Sequence, residues 1–303
     1  MGKIVLAIGV PHAPQLVSDP ETWPEIYELV CCASRIGRKS ELEMETLADN
    51  KAQLQAAKTA FGLMEKELSE ARPDAVICLT DDHFDNFFLD DYPAFSLYLG
   101  DRVDGSTIWM PDKRFEFPCN ARLAKLILEK SVEAGFDLSF SEEIHLEYGH
   151  LIPLNYLLPR RDLPILPIYT NAYASPNPTP ARCYKLGSFL REVIQKHTDL
   201  DFRVAIIASG GMSHFPGEHL GGEINVKFDS QMMEWFKSGH SDRFSELTSK
   251  EIDQAGNAEM RNWIVLLGAI GSHKPAYASY TVSWRAIIGL GFVMWKANDP
   301  EGL

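Results

Sequence analysis

Four short stretches of this chain carry no charged residue: IVLAIGV at 4–10, AVICLT at 75–80, LPILPI at 163–168 and VAIIA at 204–208. They are shorter than a typical helix, and they lack the alternation of a strand with one wet face. Runs of this kind suit strands covered on both sides, as in a parallel sheet between two helical layers. The intervening segments have helical spacing. From 50 to 71, Leu54, Ala57, Phe61, Met64 and Leu68 recur every three or four residues and form one stripe. From 179 to 197, Thr179 is placed to cap and Pro180 to occupy the first helical position, while Leu186, Phe189, Leu190, Val193 and Ile194 form a face to bury. Segments 120–134 and 224–237 also read as helices. The alternation predicts an α/β fold with a largely parallel central sheet and helices on both faces. The β-branched and aromatic stretch 276–295 is expected to form an antiparallel hairpin at the sheet edge. YASPNPTP at 173–180 is short and uncharged, a loop rather than a linker. The chain therefore reads as a single catalytic domain over 1–303.

Composition excludes several partners. A net charge of −13 and a pI near 5.2 argue against a nucleic-acid ligand, which calls for a basic face. The longest apolar run, AIIGLGFVMW at 286–295, is about half of what a membrane span needs. MGKIVLAIGVPHAP reads as a first strand rather than a signal peptide. Five cysteines, an odd number with no CxxC pair, fit a reducing cytoplasm.

Three of the strand-like runs end in a turn that carries a histidine: Pro11-His12, Asp81-Asp82-His83, and Ser209-Gly210-Gly211-Met212-Ser213-His214. In an open α/β sheet the crevice beyond the carboxyl ends of the strands is the usual ligand site, so three imidazoles delivered there are set to converge. The glycine pair before His214 suggests a close backbone approach. A fourth candidate is Glu259 in GNAEMRNWIVLLGAI, where Gly256 and Asn257 look like a helix start. Trp263 and Leu266 follow at helical spacing, which puts the carboxylate on the apolar face. A buried carboxylate is costly unless it is paired or bound to metal. Two histidines and one carboxylate with open positions suit a non-heme Fe(II) oxygenase. A further histidine off the metal can move protons near neutral pH. The same set also suits a catalytic zinc that activates water. Asp81 and Asp82 are candidates to orient a ligating imidazole or to cap their turn. His197, His219, His240 and His273 read as surface residues.

GVPHAPQL, the strand with DDHFDNF, GGMSHFPGE and NAEMRNWIVLLGA occur in this order across 9–270. Together they resemble the class III extradiol ring-cleavage dioxygenases, the superfamily of the protocatechuate 4,5-dioxygenase catalytic β subunit. The resemblance implies that His12, His83 and Glu259 hold Fe(II) and that His214 is the acid/base outside the metal. It implies a small catechol-type aromatic substrate and O2, in a homo-oligomer or beside a small partner subunit. One segment departs from the family. Relatives carry Asp-His-Gly-x-x-x-Pro in mid-chain, whereas here the segment reads HLEYGHLIPL at 145–154, with Tyr148 in the histidine's place. Tyr148, His150 and His145 are the candidates for that second catalytic role. Arg285, Lys113 and Arg114 are candidates to meet a substrate carboxylate. A zinc hydrolase on the same residues, or a non-catalytic binding member of the superfamily, are the alternative readings.

Overall fold

Each apolar run becomes a strand buried along nearly its whole length. The computed structural model describes residues 1–31, 41, 44–199, 201–216, 223–297 and 302–303; His219 and the last two residues of GGMSHFPGE lie outside them. Strands β1 (Lys3–Val10), β2 (Ala75–Thr80), β7 (Ile165–Thr170) and β8 (Arg203–Ser209) run parallel in the middle of an eight-stranded sheet. The third run begins two residues later than its sequence suggests, at Ile165 rather than 163. The hairpin expected at the carboxyl end is β9 (Tyr277–Ser283) and β10 (Ile288–Lys296), with β10 antiparallel to β1. The opposite flank is also reversed, which the sequence did not signal. There β3 (Phe95–Tyr98) pairs antiparallel with β7, and β6 (Ser139–Ser141) lies outside it. A separate ribbon joins β4 (Arg102–Gly105) and β5 (Phe115–Pro118). These four strands have only three or four residues each, too few for a periodic signal.

Helices cover both faces, as expected for one α/β domain. On one side lie α2 (Leu47–Ala71) and α4 (Tyr148–Leu157), which share a core with Leu6, Ile8, Val76 and Ile207. On the other lie α5 (Pro180–His197), α6 (Val226–Ser238) and α9 (Met260–Ile270), packed on Ile4, Ile77 and Ile206. The predicted helix 120–134 is α3 (Ala121–Glu133), with Asn120 accepting the Leu123 N–H as cap. The short helices are α1 (Trp23–Cys31), α7 (Asp242–Glu246) and α8 (Ser249–Gln254).

Register sets the edge on which chemistry can occur. Val10 pairs with Ser209 and Thr80 with Tyr169, while Leu79 faces Ala208. The four parallel strands therefore finish in one row, and the turns after them open on a common crevice. Helix α9 is the innermost helix, buried at every residue. It crosses α5 with backbone against backbone. A Cβ on Gly187 would lie 1.9 Å from the Val265 carbonyl oxygen, and one on Gly268 would lie 2.0 Å from that of Tyr184. Gly268→Val has to push these helices apart. It is expected to lower unfolding free energy by about 3 kcal/mol, read as a lower urea midpoint; an unchanged midpoint would contradict the close crossing.

Candidate metal centre

His12 leaves the end of β1 and is held by the neighbouring strand. Its Nδ1 lies 2.9 Å from Ser209 Oγ, and that hydroxyl donates to the Gly149 carbonyl at 2.6 Å. With the hydroxyl proton committed, the ring nitrogen is the donor to Ser209, and Nε2 keeps its lone pair for the crevice. His83 leaves β2 in the same way, with Nδ1 3.1 Å from Glu147 Oε2. Nε2 of His83 then faces Asp81 Oδ2 at 3.4 Å and Glu259 Oε1 at 3.8 Å. The two aspartates before it divide their roles. Asp82 caps its turn, accepting the N–H groups of Asp85, Asn86 and Phe87 at 3.0 to 3.1 Å. Asp81 points inward and takes the Asn262 amide on Oδ1 at 2.7 Å.

Glu259 is the point of convergence. It sits at the residue before α9 rather than within the helix, so its burial owes nothing to an apolar stripe. Its Oε1 lies 3.5 Å from His12 Nε2 and 3.3 Å from His214 Nε2. The same oxygen accepts the Tyr173 hydroxyl at 2.6 Å, and Oε2 accepts the Gly211 N–H at 2.5 Å. The glycine pair serves this approach. A Cβ at Gly210 would sit 3.0 Å from Glu259 Cβ, and one at Gly211 would sit 2.0 Å from Ile288 Cδ1. His214 is fixed by its Nδ1, which donates to the Met212 carbonyl at 2.7 Å. The loop behind it is anchored by buried Asp229, whose carboxylate accepts the Ser213 hydroxyl at 2.7 Å, the Tyr280 hydroxyl at 2.8 Å and the Asn257 amide at 3.2 Å.

The electrostatics follow from these contacts. Burial resists ionisation of Glu259, yet the imidazoles of His214 and His12 hold its carboxyl well below the usual range. Burial also resists charging of His83, but Glu147 and Asp81 carry it well above an ordinary imidazole. His214 is raised as well, with burial opposed by the Glu259 charge. Burial and then the Glu259 charge push the Asp81 carboxyl above its usual range. Asp81 Oδ2 is buried without a hydrogen-bond partner. One donor atom each from His12, Asp81, His83 and Glu259 lie within 4.8 Å of one another. Two imidazole lone pairs, a charged carboxylate and an orphaned buried oxygen suit a divalent cation.

The remaining candidates have other surroundings. Tyr148 opens α4 with its ring 4.2 Å from that of His83 and 5.5 Å from that of His12. His150, two residues on, packs against Tyr169 at 5.0 Å, and burial lowers it to about 4. His145 is a latch between loops: its N–H donates to Asn86 Oδ1 at 2.8 Å and its Nε2 accepts the Ser106 N–H at 2.9 Å. Lys113 and Arg114 are exposed and bound to Asn155 and to nearby carbonyls. Arg285 sits at the tip of the β9–β10 hairpin, its Nε on the Glu45 carbonyl at 3.1 Å. Tyr173 and Asp229 went unnoticed in the sequence, where no motif or spacing marks them, while Glu147 and Ser209 stand inside recognised segments but were given no role.

A family model described as the catalytic LigB subunit of aromatic ring-opening dioxygenase matches residues 42–293. His83, Tyr148, Tyr173, His214 and Glu259 fall inside this span, and His12 precedes it. Among curated proteins, the gallate dioxygenase of Pseudomonas putida is 32% identical over 160 residues, 51% of this chain and 46% of that protein. The 2,3-dihydroxyphenylpropionate/2,3-dihydroxicinnamic acid 1,2-dioxygenase of Klebsiella pneumoniae is 31% identical over 152 residues, 50% and 46% of the two chains. The chain thus spans a little under half the length of the curated relatives it matches. A solved structure, the uncharacterized protein JW3007 from Escherichia coli K12, shares the fold. It has a TM-score of 0.53 at 13% identity and covers 78% of this chain and 91% of its own.

The site predicts how metal and pH combine. His83 and His214 have folded-state values above the ordinary 6.5, so their charged forms stabilise the metal-free protein below that pH. That stabilisation is lost as pH rises through the folded values, and a dication competes for the same positions. The rise in Tm on adding a divalent metal should therefore grow between about pH 6 and about pH 8. A gain that shrinks over this range would contradict the assignment.

Proposed function

The chain belongs to the LigB family, that of the catalytic subunit of aromatic ring-opening dioxygenases, and from that membership we propose that it is a non-heme Fe(II)-dependent extradiol dioxygenase. The observation that carries the proposal is the convergence at Glu259 Oε1. His12 and His83 approach it from two strand ends, at 3.5 and 3.8 Å, and His214 from a third at 3.3 Å. In this reading His12, His83 and Glu259 hold the ion, with Asp81 beside them. When bound, Fe(II) supplies a centre where O2 and two adjacent substrate oxygens meet and exchange electrons.

The chain's own groups do the rest. Ser209 and Glu147 fix the ligating imidazoles through their far nitrogens, which keeps Nε2 of each directed at the ion. His214 has its Nδ1 proton committed to Met212, so Nε2 is its exchangeable position. That atom takes a proton from a substrate hydroxyl and returns it later in the reaction. Tyr148 takes the family's second catalytic position, since its ring lies beside both ligating histidines. Burial holds its phenol well above 10, so it acts as a hydrogen-bond donor. His150 faces Tyr169 and serves behind the site. The aromatic rings of Tyr148 and Tyr173 flank His83 and limit water there.

The substrate class follows from chemistry and from the relatives' names. A gallate and a dihydroxyphenylpropionate both carry adjacent ring hydroxyls, and a vicinal diol presents two oxygens to one ion. We assign this chain a small catechol-type aromatic, with O2 as the second substrate, in aromatic catabolism. The same reading has it in the cytoplasm, as a homo-oligomer or beside a small partner subunit. Among the described residues, no helix is long and apolar enough to cross a membrane.

Anaerobic reconstitution with Fe(II), then an oxygen electrode and absorbance across a panel of vicinal diols, should show oxygen consumed with ring opening. A protein that retains zinc and consumes no oxygen with any diol would overturn the proposal. His214→Phe should lower turnover by about a hundredfold or more while iron content stays at the wild-type level. Loss of iron in that variant would make His214 a ligand instead.

A further inference from the structure

Tyr173 belongs to none of the motifs that point to the site. It stands in the loop after β7 and is presented by a side-chain turn. Asn171 Oδ1 accepts the N–H groups of Tyr173 and Ala174 at 3.1 and 2.8 Å, and its amide donates to the Ala174 carbonyl at 2.6 Å. The phenol is thereby delivered to Glu259 Oε1 at 2.6 Å, with its ring 5.3 Å from that of His83.

The two oxygens of Glu259 have different partners. Oε2 accepts a backbone N–H, from Gly211, which cannot turn away without moving the loop. Oε1 faces His12, His83 and His214, and the hydroxyl on it comes from a side chain. A carboxylate oxygen has two lone pairs. Gly211 takes one lone pair of Oε2 and Tyr173 takes one of Oε1, which leaves Oε1 one lone pair toward the histidines.

We propose that Tyr173 is a positioning residue for Glu259: its hydroxyl and the Gly211 N–H clamp the carboxylate so that it offers one oxygen to a divalent cation. This rests on the reading of Glu259 as a metal ligand. Outer partners of this kind orient a ligand and change its donor strength, and their loss weakens metal binding about 10–100-fold. Without the hydroxyl, Glu259 is held at one oxygen only and swings about the Gly211 contact.

The test uses metal binding rather than turnover. Metal-free wild type, Tyr173→Phe and Tyr92→Phe are titrated with Co(II) and Zn(II), followed by calorimetry and, for Co(II), by visible absorption. Tyr92 is the control because its hydroxyl donates to the Asp82 carbonyl in the neighbouring turn. Tyr173→Phe should bind both ions about tenfold more weakly and shift the Co(II) bands, with the metal-free Tm unchanged. Tyr92→Phe should match wild type. If Tyr173→Phe lowers the metal-free Tm, Asn171→Ala, which keeps the phenol but releases its turn, should weaken binding in the same direction. Wild-type affinity and bands in both variants overturn the proposal alone. A wild type that binds neither ion overturns the metal reading and this proposal with it.

Discussion

A carboxylate with no access to water has to be neutralised from within, and at Glu259 this requirement organises the carboxyl edge of the sheet. Three imidazoles approach one of its oxygens, two hydrogen bonds hold the group in place, and its charge survives burial as a result. Asp81, the second carboxyl, shows the other outcome. It lies in the same space with one oxygen that accepts no hydrogen bond, and burial raises its carboxyl above the usual range. Two carboxyls and two imidazoles turned to one point form a donor set that suits a divalent cation. This links the fold to metal chemistry more directly than any single motif does.

The surrounding structure restricts the movement of these groups. Asp229 gathers donors from the loop of His214, from β9 and from the turn before α9, so one buried side chain couples the histidine and the carboxylate that face each other. The residues after His83 and His214 are both non-glycine with positive φ, Phe84 at 63° and Phe215 at 49°. Such conformations cost about 1 kcal/mol or more each and persist only where neighbours dictate them. For Phe215 the cause is visible, because the N–H groups of His214 and Phe215 share the Gly256 carbonyl at 3.0 and 3.2 Å.

Much of the fold could be read before the coordinates. Unbroken apolar runs located the four central strands, with one start misplaced by two residues, because burial on both faces leaves no other composition open to them. The helix cap at Thr179 was legible for a local reason, since a cap acts within its own first turn. The short strands β3 to β6 gave no signal, and the pairing of β3 with β6 and β7 is decided by neighbours far away in the chain. At the site, the histidines were visible as strand-end residues. The roles of Ser209, Glu147 and Tyr173 were not, because each acts through a contact spanning 197, 64 or 86 residues. Glu259 was expected inside a helix starting near Gly256, whereas α9 begins at Met260, one residue after it, and is buried all round.

What the amino-acid order determined alone is therefore local and compositional: which segments must be covered, where helices start, and which turns carry imidazoles or paired glycines. Tertiary structure decided which atoms face one another. Parallel register brought the strand ends level, and hydrogen bonds from remote residues selected the ring nitrogen that His12 and His83 present. The same packing turned Asp81 inward and Asp82 into a cap, although they are adjacent and chemically identical. The physical reason is that charge in a buried site depends on distances of a few ångströms between groups the chain holds far apart, and only the folded sheet sets those distances.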